Sequence, residues 1–94
     1  MIRWAEQAAE QLEQIYDCIA LSDSEELAAE ITKRIVESVE RLATFPTSGR
    51  PGRVQGTREL AIVKTPFLAA YTIEKGQVVI LAIYHGAQLW PKAF

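Results

Sequence analysis

The stretch Phe45-Pro46-Thr47-Ser48-Gly49-Arg50-Pro51-Gly52, with Gly56-Thr57-Arg58-Glu59-Leu60 close behind it, divides the chain into two unlike halves. Upstream, apolar residues recur in steps of three and four, the spacing of one helical face. Downstream, short apolar runs are separated by turn residues, the mark of strands. Charge divides at the same place. Residues 1–49 hold four basic and ten acidic side chains, whereas residues 50–94 hold six basic and two acidic ones. The formal net charge of −2 hides this asymmetry. A split of this kind points to one surface that meets an anionic partner.

Working back from Pro46, the spacing predicts a helix carrying Leu27, Ile31, Ile35, Val39 and Leu42 on one stripe. It must stop before Pro46, because proline disfavours helical backbone in the residue ahead of it. Asp23 or Ser24 can cap its start, and Glu25 and Glu26 suit the positive end of its dipole. Leu21-Ser22-Asp23-Ser24 is a turn, and an earlier helix carries Ala8, Leu12, Ile15, Tyr16 and Ile19. Together these predict an antiparallel helix hairpin. Ile2-Arg3-Trp4 fits a short edge strand.

Working forward, Leu60–Val63, Phe67–Ile73 and Val78–Tyr84 read as strands. Lys75-Gly76 makes a two-residue hairpin loop. That loop sets Ile73 opposite Val78, Tyr71 opposite Ile80 and Phe67 opposite Tyr84. The last strand is apolar on both faces, so it is expected to be central, with helices over one face. The opposite face is expected to stay apolar and open until a tail or a partner covers it. The fold class predicted is α+β: an N-terminal helix hairpin packed on a small antiparallel β-sheet, in the order β-α-α-β-β-β.

The 94 residues make a single domain, 1–94, and a hydrophobic share of 49% suffices for a core. Cys18 is the only cysteine, so no intrachain disulfide forms; it reads as a small, partly buried core residue. No apolar run approaches the ~20 residues of a membrane span, and the N-terminus lacks a signal-peptide core. A cytoplasmic location and no membrane partner are expected. No carboxylate pair, Ser/His/Asp set, metal-ligand cluster or phosphate-binding glycine loop is visible, so neither cofactor nor metal is expected.

Four blocks in order carry a family resemblance: Arg3-Trp4-Ala5 with Leu12, Ile15 and Tyr16; Leu42 through Gly52; Gly56-Thr57-Arg58-Glu59-Leu60; and Tyr84-His85-Gly86-Ala87-Gln88-Leu89-Trp90-Pro91. Together they resemble the ParE/RelE superfamily of type II toxin–antitoxin toxins, the ParE branch more than the RelE branch. The resemblance implies a toxin neutralised by a cognate ParD-like antitoxin of ribbon-helix-helix type. The antitoxin arm would wrap the toxin, and operator DNA would be met only through the antitoxin. ParE-type toxins act on DNA gyrase; RelE-type relatives cleave messenger RNA on the ribosome. One scaffold serves both outcomes.

Metal-independent RNA cleavage needs a base, cations for the phosphate and an acid for the leaving oxygen. For those roles the chain offers Arg58, Tyr84 and His85, with Arg50 and Arg53. That set is sparse, which favours a non-enzymatic gyrase inhibitor. The expected surface for target or antitoxin comprises Arg50, Arg53, Arg58, Lys64, Tyr84, His85 and Trp90. Each has a plainer reading: edge charges and solvated loops for the cations, packing for Tyr84 and turn-holding for His85. Trp90 would anchor the tail on the sheet.

Overall fold

A computed structural model describes residues 2–86. The elements are β1 (Ile2–Trp4), α1 (Glu6–Ser22), α2 (Glu25–Glu40), a 3-10 turn (Arg41–Ala43), β2 (Arg50–Pro51), β3 (Arg58–Ala61), β4 (Phe67–Glu74) and β5 (Gln77–His85). Five strands form one sheet in the order β1-β5-β4-β3-β2, and the helix hairpin covers one face.

The hairpin forms where the sequence places it. Ser24 is the residue that caps α2, its hydroxyl accepting the Leu27 N–H at 3.0 Å. Ile35, Val39 and Leu42 of the predicted stripe are fully buried. They pack with Ala8, Ile62, Ala69, Tyr71, Val78, Ile80 and Ile83 into the core. Cys18 departs from expectation. It is exposed on α1, because the helix turns its Ala8 and Leu12 stripe, not the Cys18 side, onto the sheet.

The sheet is mixed, where an antiparallel one was expected. β1 runs parallel to β5, with Ile2 beside Val78 and Trp4 beside Ile80. A tight turn joins only antiparallel strands, so a parallel neighbour requires a long crossover; here the helix hairpin and three strands intervene. β5 is thereby an inner strand, as its apolar character predicts. A further strand, β2, lies inside the Gly/Pro connector and pairs Arg50 with Glu59.

The Lys75-Gly76 loop has both residues at positive φ, 51° and 79°, as a primed hairpin turn requires. Ile73 faces Val78 and Tyr71 faces Ile80, as predicted. Beyond that the register shifts: a bulge opposite Ala70/Tyr71 leaves Leu81 without a partner, so Phe67 faces His85 and not Tyr84. The extra residue also reverses which face each later side chain takes. Next to the bulge, Gln11 of α1 accepts the Ile83 N–H through Oε1 at 2.9 Å and so ties helix to strand.

The face away from the helices is not open at its centre. Ala70, Val79 and Ala82 lie there by register, and all three are buried. The alanines are recessed beside Glu59, Leu68 and Tyr84, while Val79 sits between Arg3 and Thr72. Short side chains flanked by longer cross-strand neighbours lose contact with water without needing a covering layer.

The connector from α2 to the sheet is fastened by Tyr71. Its ring is fully buried, and its hydroxyl donates to the Pro46 carbonyl at 2.7 Å while accepting the Gly49 N–H at 2.9 Å. Gly49 has no room for a side chain: a Cβ would stand 2.6 Å from that hydroxyl and 2.9 Å from the Glu59 carbonyl oxygen. Tyr71→Phe removes the hydroxyl and leaves the buried Gly49 N–H unpaired. The expected loss is about 1–3 kcal/mol. In a chain of this size that lowers Tm by roughly 4–8 °C per kcal/mol, to be measured by thermal unfolding.

Candidate functional site

The basic residues singled out from the sequence divide into two groups. Arg58 was expected on the target or antitoxin surface, with an edge charge as its plainer reading. Its guanidinium reaches back over the connector and donates through Nη1 to the carbonyls of Gly49, at 2.8 Å, and Thr47, at 3.3 Å. It shares a face with Tyr71, its Cα partner on β4, so both side chains close on the same loop.

Arg50 and Arg53 meet on Glu59. That carboxylate is only 3% exposed. Its Oε1 accepts from Arg50 Nη2 at 3.2 Å and its Oε2 accepts the backbone N–H of Arg53 at 2.9 Å. A buried carboxylate needs such partners, since removal from water is otherwise costly. Glu59 is therefore a pin between β3 and the loop behind β2, a fixed position unlike that of a free general base. The Arg50 side chain stays 65% exposed while holding this bond, so its outer face still meets solvent.

Tyr84 and His85 lie at the far end of β5. Tyr84 pairs with Leu68 and His85 with Phe67. The His85 ring stands edge-on to Phe67, centroids 5.6 Å apart. In the turn after it, the Gly86 N–H donates to the Pro66 carbonyl at 2.7 Å. Burial pushes the Tyr84 phenol above its ordinary pKa, so it remains protonated through neutral pH and can only donate a proton there. Gln11, Gln14, Ile15 and Cys18 of α1 face Phe67, Ile83 and His85 across a shallow cleft. Trp90 lies outside the described residues.

The structure therefore keeps the expected site residues apart. Along β4, Arg58 stands beside Tyr71 and His85 beside Phe67, four residues away. That is roughly 13 Å in the strand direction alone. Arg58 also shares the helix-side face with Tyr71, whereas Tyr84 shares the opposite face with Leu68. Among the described residues, no group of three or more His, Cys, Asp or Glu side chains is placed to hold a metal ion. No described helix is long and apolar enough to cross a membrane.

A different surface emerges that sequence patterning does not single out. Phe45 and Val63 are 64% and 56% exposed, and they flank a groove between the end of α2 and β3. Lys64 follows Val63 in the β3–β4 turn at φ 60°. The sequence signals for this surface were Lys64, already expected to meet a partner, and Phe45, an aromatic residue just past the last position of the α2 stripe.

Glu59→Ala should unseat the connector. It deprives Arg50 and the Arg53 N–H of their acceptor, and a loss of about 1–3 kcal/mol is expected in urea unfolding. Arg50→Ala leaves Arg53 bonded and should cost less.

Comparison with known proteins agrees with this architecture. The family model for the ParE toxin of the type II toxin–antitoxin system parDE matches residues 2–90. The Y4kP protein of Sinorhizobium fredii is 40% identical over 91 residues, spanning 97% of this chain and 93% of its own length. A solved structure of the chromosomal ParDE toxin–antitoxin system from P. aeruginosa superposes with a TM-score of 0.82 at 31% identity, covering 89% of this chain and 92% of its own. A chain of the RelBE2 complex from Mycobacterium tuberculosis has the same fold, with a TM-score of 0.68 at 22% identity and coverage of 90% and 95%. Sequence, fold and strand order agree, and the chain belongs to the ParE family of type II toxin–antitoxin toxins.

Proposed function

We propose that this chain is a toxin that inhibits DNA gyrase through protein–protein contact, without bond-making chemistry of its own, and that a ParD-like antitoxin neutralises it. The observation that supports this most is the dispersal of the residues an RNA-cleaving site would need. Arg58 holds backbone carbonyls, Arg50 holds a buried carboxylate, and Tyr84 and His85 lie at the other end of the sheet. Phosphate stabilisation in cleavage requires cations converging on one oxygen. Here two of the arginines have internal acceptors. The antitoxin partner is supported by family membership and by the similar P. aeruginosa chain, which comes from a ParDE system. With a net charge of −2, the chain is a weak general ligand for DNA, so operator contact falls to the antitoxin.

Expression in bacteria without antitoxin should arrest replication and produce filaments, and the purified chain should block supercoiling by purified gyrase. Unimpaired supercoiling would overturn the reading. New messenger RNA 3′ ends in toeprints on translating ribosomes would establish the alternative, a RelE-type endoribonuclease. Tyr84→Phe and His85→Ala serve as diagnostics because both residues lie at the far end of β5, paired with Leu68 and Phe67. Under the gyrase reading each leaves toxicity within about twofold of the parent; under the ribonuclease reading each abolishes it, since a general acid or base contributes ~10²–10⁴-fold.

A further inference from the structure

Arg34, Glu37, Ser38 and Arg41 recur in steps of three and four, so they share one face at the end of α2. Val63 and Lys64 of the β3–β4 turn stand against that face, and the six residues line one hollow. Three cations and one carboxylate leave it with an excess of two positive charges. Its volume of about 170 Å³ far exceeds what one water molecule needs, so a group of several heavy atoms fits.

An unsatisfied hydroxyl lies in the wall of this hollow. Ser38 is only 7% exposed, and its side chain has no hydrogen-bond partner among the described residues. The contrast within the hairpin is direct. Ser22 and Thr32 each bond the carbonyl four residues back, at 2.8 Å. Buried polar groups are normally paired, so an orphan facing a cationic hollow calls for an acceptor from outside.

The cations have donors to spare. Arg34 meets Glu30 through Nη2 at 2.9 Å, which leaves the rest of its five N–H donors. Arg41 stands at the C-terminal end of α2, where the helix dipole favours a cation, so its position alone asks for no ligand. Lys64 has no such reason to be here. It sits in left-handed backbone, φ 60°, unfavourable for a residue with a side chain, in the turn that brings it to the hollow. Neither Arg41 nor Lys64 has an ion-pair partner among the described residues.

We propose that this hollow is a binding site for a terminal phosphate group, either free phosphate or the end group of a small molecule such as a nucleoside monophosphate. Such a group carries nearly two negative charges at neutral pH and three strong acceptor oxygens. Donors arriving from α2 and from the β3–β4 turn each find an oxygen, and Ser38 donates its hydroxyl. A carboxylate brings one charge and two oxygens in a plane, too few for three cations and a hydroxyl. Glu37 is the one lining group that opposes an anion, and it limits the affinity. The site does not depend on which target the toxin acts on, so its test stands apart from that of the gyrase reading.

The test is calorimetry of the full-length chain with inorganic phosphate, adenosine monophosphate and a DNA duplex with unphosphorylated ends, at constant ionic strength against chloride. Saturable binding of phosphate or of the monophosphate is expected. Arg41→Gln combined with Lys64→Gln should weaken it at least about tenfold, and Ser38→Ala about two- to tenfold. Glu37→Gln should tighten it about two- to fivefold. Lys75→Gln is the control, since Lys75 lies in the hairpin loop at the other end of β4, and binding should be unchanged. Thermal melting checks each fold, and Ser38→Ala should melt no lower than the parent. A lower melt would reveal an internal partner for the hydroxyl and overturn the site. So would parent binding no stronger than that of chloride, or a loss in the control equal to that in the double variant. Equal affinity for both small ligands identifies the phosphate group itself as what is bound, and tighter binding of the monophosphate identifies a nucleotide. A duplex bound through Arg41 and Lys64 more tightly than either would put a backbone phosphate there and overturn the terminal-phosphate assignment.

Discussion

One phenol oxygen organises the passage from helices to sheet. The Tyr71 hydroxyl lies in the core, where an unpaired polar atom is expensive, and it bonds both to Pro46 and to Gly49. Those two residues bracket the connector, so the loop cannot leave the sheet without exposing or orphaning the oxygen. Three further constraints follow from this anchor. Gly49 must lack a side chain because the ring occupies its space. Arg58 finds the Gly49 and Thr47 carbonyls within reach because the loop is held close. Arg50 is delivered opposite Glu59, which then bonds Arg53 as well. A segment of glycine, proline and hydroxyl residues acquires one conformation through side chains that arrive from β3 and β4.

This fastening also accounts for the charge pattern. The cation-rich second half looks like a surface for an anion when charges are counted along the chain. In space, Arg58 reaches backbone carbonyls and Arg50 a buried carboxylate. A charge-assisted hydrogen bond to an internal acceptor holds a cation in one orientation and lowers its readiness to bind elsewhere. Arg41 and Lys64, two cations without an ion-pair partner among the described residues, come from opposite sides of the sequence divide and line one hollow with Glu37 because α2 packs beside the β3–β4 turn.

Helices, hairpin loop and inner strand were legible because each rests on local rules. The α2 stripe, the Ser24 cap and the Lys75-Gly76 turn are all decided within a few residues. What escaped depends on long-range or single-residue events. The bulge at Leu81 inserts one residue into an otherwise continuous apolar run, and nothing in Val78–Tyr84 marks where the ladder slips. The parallel pairing of β1 requires knowing where the chain returns after the hairpin. The role of Tyr71 needs the loop placed first, because an apolar strand containing a tyrosine reads the same whether its hydroxyl faces solvent or a backbone 22 residues away. The bonds of the candidate surface's cations were hidden for the same reason. Residue type identified Arg50, Arg53 and Arg58 as cations, but only their neighbours reveal what they hold.

The side-by-side placement of β1 and β5 has a bearing on synthesis. Ile2 to Trp4 dock on Val78 to Ile80, the opposite end of the polypeptide, and Ala5 donates to the Ile80 carbonyl at 2.8 Å. Joining such distant segments is a late event, since the entropy of closing so long a loop is recovered only when the final strand is present. While the ribosome still holds that strand, the opening residues have nothing to pair with and the sheet lacks its inner member. A chain cut before β5 therefore has no strand on which Ile2 to Trp4 can settle.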